Sequence, residues 1–302
     1  MFNKKEKVYL IDATGFVLKY WFVMPKIKTK NYESISAFLG FCTFFLDLLS
    51  DIKPKYILCA FDESLGTCFR NEIFPDYKKN RENAPKELKV QFNLCRNFLD
   101  LLGINNLASD KYEADDIINT VSINTRKAGM SNIIITNDKD LFQIIYEDDA
   151  WWNLSGKKFN HNDLKNKLKF SPQNLPELFG LMGDSVDGIP GAPGIGEKTA
   201  SILINRYGNI DNVFANIDSI ISDLGSKYKR YVKIISENKK IIYLSKKLSN
   251  LAYIDAIEKN TNAIERNQVD LAEMDKFLIQ SGMRDGQKNS WINQIKKLCE
   301  LI

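Results

Sequence analysis

Three short apolar runs, each stopped by a carboxylate, constrain this chain more than any other feature. Val8-Tyr9-Leu10-Ile11 ends at Asp12, Tyr56 to Phe61 ends at Asp62, and Asn132 to Thr136 runs through Asn137 into Asp138 and Asp140. Runs of this length and composition read as buried strands. Helical patterns separate them. Residues 34–49 carry Ile35, Phe38, Leu39, Cys42, Phe45, Leu46 and Leu49 at helical spacing, with Pro54 as the stop. A second helical stretch, residues 86–102, is closed by Gly103. Strands alternating with helices predict an α/β fold with a mostly parallel central sheet flanked by helices. Ligands of such sheets bind beyond the carboxyl ends of the strands. Asp12, Asp62, Asp138 and Asp140 are therefore expected at one edge.

The hexapeptide Lys111-Tyr112-Glu113-Ala114-Asp115-Asp116 places further acids just before the apolar pair Ile117-Ile118. It reads as a helix start capped by Ser109 or Asp110. Glu113 and Asp116 share a face, and Asp115 lies about 100° round from Asp116. Such an arc suits more than one cation. Taken alone, acids in a first turn answer the helix dipole, at about 0.3–1 kcal/mol each. Joined to three acid-tipped strands, they form a crowd of like charges that raise one another's pKa unless cations lie between them. The other metal donors are scarce. There is one histidine, His161, and the five cysteines (Cys42, Cys59, Cys68, Cys95, Cys299) form no C-x-x-C pair. That argues against a structural zinc site and a disulfide framework. A metal here would be held by oxygen, as Mg²⁺ or Mn²⁺ is.

The 302 residues, 44% of them hydrophobic, suffice for one large domain or two smaller ones with a sizeable core. Asp12 and Lys19 interrupt the first apolar stretch, which argues against a signal peptide or membrane span. The expected location is cytoplasmic. The net charge of +4 is too small to argue nucleic acid, but its distribution says more. Phe69-Arg70 and Phe74-Pro75-Asp76-Tyr77-Lys78-Lys79-Asn80-Arg81 follow the strand ending at Asp62. If that segment is helical, Lys78 and Arg81 share a face and offer cations to a phosphate. Trp151 to Leu154 reads as a further strand or its edge, Lys157 to Lys169 as a basic connector, and His161 as an ordinary surface residue.

A second region begins near Pro172. A helix from Pro176 to Met182 leads into Gly183 to Ala200, a block with five glycines before a new helix near Glu197. Free amides around Gly194 and Gly196 would make an anion site at that helix start, and Asp184 and Asp187 flank the turn. Eight Lys/Arg between Lys227 and Lys247, interleaved with Tyr228, Tyr231 and Tyr243, suggest a nucleic-acid backbone surface. Leu271 to Ile279 and Trp291 to Leu301 read as closing helices.

These elements, in this order, resemble the 5′-nuclease family: the 5′→3′ exonuclease domain of bacterial DNA polymerase I and the flap endonucleases. The resemblance implies a PIN-like core over 1–170, with a helical gateway at about 69–102. It implies a helical region over 171–302, with a helix–hairpin–helix-like duplex-binding motif at 183–200. It makes Asp12, Asp62, Glu113, Asp115, Asp116, Asp138, Asp140, Asp184 and Asp187 metal-ligand positions, with Asp116 holding ligands or waters in place. Lys78 and Arg81 become the residues that act on the scissile phosphate. Lys19, Arg70, Tyr77, Gly191, Gly194, Gly196, Lys198 and Thr199 become DNA contacts. Two departures stand out: Ala13 follows the first Asp where the family often has Gly, and Lys19 replaces a usual Arg.

The implied activity is metal-dependent 5′→3′ exonuclease and flap endonuclease action on DNA with 5′ flaps, nicks or 5′ ends, with RNA primers as a further substrate. The implied cofactors are two or more Mg²⁺ or Mn²⁺ ions, with K⁺ at the 183–200 turn. A monomer is expected, nucleoid-associated, working beside a DNA polymerase and a ligase. Two other readings compete. A PIN-type ribonuclease shares the acidic sheet edge but has no use for the duplex motif. A non-catalytic DNA-binding module has no use for the intact acid set.

Overall fold

The computed structural model describes residues 5–257 and 264–299. Its centre is a six-stranded sheet in the order β3-β2-β1-β4-β5-β6. The strands are β1 (Lys7–Asp12), β2 (Tyr56–Asp62), β3 (Asn106–Ser109), β4 (Ser131–Ile135), β5 (Ala150–Trp152) and β6 (Lys158–Asn160). All pairs are parallel except β5 with β6. β1 lies in the middle, with Ile11 opposite Cys59 on one side and Ile135 on the other. The chain leaves β1 toward opposite edges, so the end of β1 is the switch point where such sheets bind ligands.

Side chains alternate faces along a strand, and the two faces have separate cores. Tyr9, Ile11, Ile57, Cys59, Phe61, Ile133 and Ile135 face one helical layer. That layer holds α1 (Ala13–Val23), α2 (Ser36–Ile52) and α4 (Lys86–Leu101), while the short α3 (Phe69–Ile73) packs in a separate small cluster with Tyr77, Ile189 and Leu248. Val8, Leu10, Leu58, Ala60 and Ile134 face the other layer, led by α5 (Ala114–Lys127) and α6 (His161–Leu168). The second region continues that same core. It comprises α7 (Leu175–Met182), α8 (Glu197–Tyr207), α9 (Ile210–Ala215), α10 (Ile220–Leu224), α11 (Lys229–Glu237) and α12 (Lys239–Ser249). Leu178, Leu203, Ile204 and Ile242 join it to the sheet. The closing helices α13 (Leu271–Gln280) and α14 (Asp285–Cys299), grouped by sequence with this second region, pack back on α2 and α4. Residues 300 and 301 of the expected last helix lie outside the described residues. No described helix is long and apolar enough to cross a membrane.

Several expectations need correction. Residues 75–81 are turns rather than helix, because Lys78 adopts a left-handed φ of 52°. Lys78 and Arg81 are brought together by that kink, not by helical spacing. α5 is capped by Glu113, which forms a reciprocal capping box with Asp116. Ser109 instead accepts from the amides of Lys111 and Tyr112, at 3.1 Å each. The basic connector contains β6 and α6.

The glycines of the 183–200 block do unequal work. A Cβ on Gly191, at φ 61°, would lie 2.2 Å from Gly183 N and 2.3 Å from Met182 C. A Cβ on Gly183, at φ 74°, would meet Ile189 O at 2.4 Å. Two backbone segments therefore touch here. Gly196 has open space around its Cβ position. Gly191→Ala is expected to cost more than about 2 kcal/mol, combining left-handed strain with a backbone clash. Gly196→Ala is expected to cost less than about 1 kcal/mol, the loss of a tolerated N-cap glycine. Urea unfolding of both variants checks the order, and equal costs would contradict it.

Candidate active site

The carboxyl edge of the sheet carries acids from five segments. Asp12 ends β1 and caps α1, its Oδ1 accepting from Gly15 N at 3.5 Å and its Oδ2 from the Thr136 hydroxyl at 2.9 Å. Asp62 ends β2 and accepts from Ser64 N at 3.0 Å and its hydroxyl at 2.9 Å. Glu113 and Asp115 come from the start of α5. Asp138 and Asp140 follow β4, with Asp140 N donating to Asp138 Oδ1 at 2.8 Å. Asp184 and Asp187 come from the turn after α7, where Asp184 and Ile189 exchange backbone hydrogen bonds at 2.8 and 2.7 Å.

These eight acids line one cavity of about 480 Å³, together with Lys78, Arg81 and Lys139. Oxygens of Asp140, Asp184 and Asp187 lie within 4.8 Å of one another. Burial and mutual repulsion make the group hard to ionise. Asp140 is pushed up to about 8 by burial and then by Asp138, Asp187 and Asp184. Asp12 is pushed up to about 6 by burial, against the bond from Thr136. Burial, with Asp138 and Asp12 beside it, raises Asp115 well above the usual carboxylate range. Asp138 is raised by burial as well.

The other end of the site is compensated. Burial works against ionisation of Glu113 too, but Lys78 and Arg70 outweigh it and lower its pKa. Lys78 is bonded to Glu113 Oε1 and lies 3.4 Å from Asp187. Arg81 is paired with Asp187 Oδ1. Lys78 N also donates to Asp187 O at 2.9 Å, which fixes the kink at Lys78 against the 183–188 turn. Burial disfavours the Lys78 ammonium, yet Glu113 and Asp187 raise its pKa, so its proton is firmly held.

The ninth acid is elsewhere. Asp116 is fully buried and faces Arg70, whose NH1 and NH2 fork onto its two oxygens at 2.7 and 2.8 Å. Its oxygens also accept from Glu113 N at 3.2 Å and Ala252 N at 2.7 Å. It holds the end of α5 in place and does not reach the cavity. Arg70 is only 1% exposed, so it is no DNA contact. Tyr77 is buried with its hydroxyl on Glu113 Oε2 at 2.9 Å, and is no surface contact either. Gly191 is buried in the backbone crossing. Gly194, Gly196 and Lys198 are exposed, and Lys19 and Thr199 partly so. Residues not singled out by sequence include Lys139 on the cavity rim and Thr136 beneath Asp12. Both lie inside the Thr136–Asp140 stretch, so position was the available signal.

Residues 7–171 match the family described as 5'-3' exonuclease, N-terminal resolvase-like domain. Residues 170–272 match 5'-3' exonuclease, C-terminal SAM fold. A 5'-3' exonuclease of Aquifex aeolicus is 33% identical over 207 residues, which cover 68% of this chain and 71% of that protein. DNA polymerase I of Bacillus caldotenax is 34% identical over 250 residues, 81% of this chain but 28% of the polymerase. Among solved structures, a bacteriophage T5 flap endonuclease in a pseudo-enzyme-product complex with DNA and metal ions shares the fold. The TM-score is 0.63 at 17% identity, covering 98% of this chain and all of that one. Sequence matches across both regions, and the acids they bring to one sheet edge, place this chain in the 5'-3' exonuclease family.

Proposed function

We propose that this chain is a divalent-metal-dependent 5′→3′ exonuclease and flap endonuclease that hydrolyses DNA phosphodiester bonds near 5′ ends. The convergence of eight carboxylates from five segments on one cavity, beside Lys78 and Arg81, carries this reading. The donor set fits hard cations: all oxygen, crowded, and raised in pKa for want of positive charge. Asp12, Asp62, Glu113 and Asp115 would hold one ion, and Asp138, Asp140, Asp184 and Asp187 a second. Two Mg²⁺ ions so held would supply an activated water and charge stabilisation on the leaving oxygen. Lys78 and Arg81 stand over Glu113 and Asp187 and present fixed positive charge to the phosphate, countering charge that develops on its oxygens.

The duplex part of the substrate is gripped at the start of α8. Among the described residues, the amides of Gly196, Glu197 and Lys198 have no hydrogen-bond partner, and all three residues are exposed. With the dipole of α8 behind them they suit a phosphate, and Lys198 adds a charge. Carbonyls of the same turn suit K⁺. On α11 and α12 the exposed Lys229, Arg230, Lys233, Lys239, Lys240 and Lys247 extend the surface for a nucleic-acid backbone. The polymerase I relative, of which the chain spans under a third, supports work beside a DNA polymerase; a ligase as further partner, and flaps and RNA primers as substrates, are part of the same proposal. We take the chain to act as a monomer in the cytoplasm.

Three outcomes follow from this reading. Asp140→Asn or Asp184→Asn should slow single-turnover cleavage of 5′-flap DNA by about 100-fold or more, with DNA affinity within a few-fold, because metal positioning is lost and backbone contact is not. Near-normal turnover in Mg²⁺ would sink the two-metal site, and equal cleavage of matched RNA flaps would favour a ribonuclease.

The raised acids give the second. Asp12 and Asp140 titrate at about 6 and about 8 in the metal-free fold, whereas unfolded carboxylates titrate near about 4. The folded state then binds more protons across that window, so the stability these groups supply falls as pH rises through it. Mg²⁺ displaces those protons. Its effect on the melting temperature, measured against EDTA, should be larger at about pH 8 than at about pH 5.5. An increment independent of pH would contradict the assignment.

The third concerns Lys198. Lys198→Ala should reduce the slope of log affinity against log salt by up to roughly one unit for duplex-containing substrates. Short single strands should show little change. A salt series with both substrates tests this, and equal losses would make the turn a plain connection between helices.

A further inference from the structure

The last turn of α12 ends in carbonyls that a helix leaves unpaired, and side chains from the acid-bearing half take them up. Arg70 Nε donates to Leu248 O at 2.8 Å, and its NH2 to Asn250 O at 2.8 Å. Gln143 Nε2 donates to Ser249 O at 3.3 Å and to Asp140 O at 2.9 Å. The rest of the Arg70 guanidinium grips Asp116 with its fork, and NH1 also donates to Glu113 Oε2 at 2.8 Å. Glu113 holds Lys78 through its other oxygen. One turn earlier, α12 holds the duplex turn: Ser245 Oγ accepts from Gly191 N at 3.0 Å, and Lys246 pairs with Glu177 of α7 at 2.8 Å. An unbroken series of contacts therefore runs from the turn, through α12, Arg70 and Glu113, to Lys78.

We infer that Arg70 is a positioning residue: it sets Lys78 through Glu113 and ties that setting to the seating of α12, and so of the duplex turn. The inference rests on the role proposed above for Lys78 at the scissile phosphate. Arg70 is too deeply buried to touch DNA itself. Its charge suits the negative end of α12, so one residue satisfies a helix end and two acids at once. A lysine cannot do this, because its three donors radiate from one point, whereas a planar fork reaches both sides.

The test is a mutant cycle. Single-turnover cleavage of saturating flap DNA in Mg²⁺ is measured for the wild type, Arg70→Lys, Lys78→Ala and the double variant. Duplex affinity and the melting temperature in EDTA are measured beside it. Arg70→Lys should slow cleavage about 10-fold or more alone and less than about 2-fold in the Lys78→Ala background, with affinity within about 3-fold. Asp116→Asn, which removes the other half of the fork, should show the same pattern and stands in if Arg70→Lys does not fold. Equal losses in both backgrounds would overturn the inference, since Arg70 would then only hold the fold. Slowing that tracks weakened affinity, or failure of both variants to fold, would overturn it too. An inactive wild type would overturn the proposed function and this inference with it, whereas equal losses beside an active wild type overturn the inference alone.

Discussion

Carboxylates crowded at one sheet edge repel one another, and the rest of the molecule is what keeps them together. The penalty is visible in Asp140 and Asp12, pushed up to about 8 and about 6. Local hydrogen bonds, such as Thr136 to Asp12 and Asp140 N to Asp138, offset it only in part. What holds them is that each sits on an element fixed from elsewhere. Asp12 and Asp62 end strands that are paired on both sides in the sheet. Those strands are clamped between two apolar cores, one containing Phe38, Phe98 and Trp291, the other Ile117, Leu178 and Ile242. Apolar burial at about 25 cal/mol per Å² is the term large enough to impose such an arrangement. A site that stores repulsion in this way is poised to bind cations, because binding relieves strain that folding put there.

The compensation within the site is uneven, and the unevenness has a cause. Glu113 touches Arg70, Lys78 and Tyr77, so it stays ionised despite burial. Asp140, with Asp138, Asp184 and Asp187 as neighbours, does not. Protons therefore stand in for positive charge at the Asp140 end of the cavity, beside the β4 loop, until cations replace them. Burying Arg70 with Glu113 and Asp116 carries a desolvation cost that their attraction need not repay. The return is geometric: removing any partner strands a charge in the interior, so the three can adopt one arrangement only.

Acid-tipped apolar runs made β1, β2 and β4 legible, since a buried parallel strand needs an unbroken apolar stretch and these have one. β3 and β6 escaped notice for the same reason. Asn-Leu-Ala-Ser and Lys-Phe-Asn are short, partly exposed and at least half polar, and only their neighbours make them strands. Eight of nine expected ligands reached the cavity because strand ends and helix starts fix where their side chains emerge. Asp115 and Asp116 are indistinguishable as letters. They part only because the turn of α5 that sends Asp115 into the cavity sends Asp116 inward to Arg70. Arg70 and Tyr77 carry the chemistry of DNA contacts, and a sequence gives no depth. Lys78 meets Arg81 through a left-handed residue, and outside glycine that conformation leaves little trace in a sequence.

The turn between α7 and α8 joins two tasks in one rigid piece. Its first residues carry Asp184 and Asp187 to the acidic edge, and its last present the free amides of Gly196 to Lys198. Between them, Gly183 and Gly191 pack backbone on backbone, too close for a side chain on either. Ser245 of α12 then pins Gly191. The two ends cannot slide independently, so a duplex phosphate bound at α8, as proposed, would stand at a set distance from the acids. On that proposal the turn would act as a ruler, selecting a phosphodiester by its place relative to the duplex and indifferent to the bases. For an enzyme that must act near 5′ ends whatever the sequence there, a fixed distance discriminates where base contacts would only restrict.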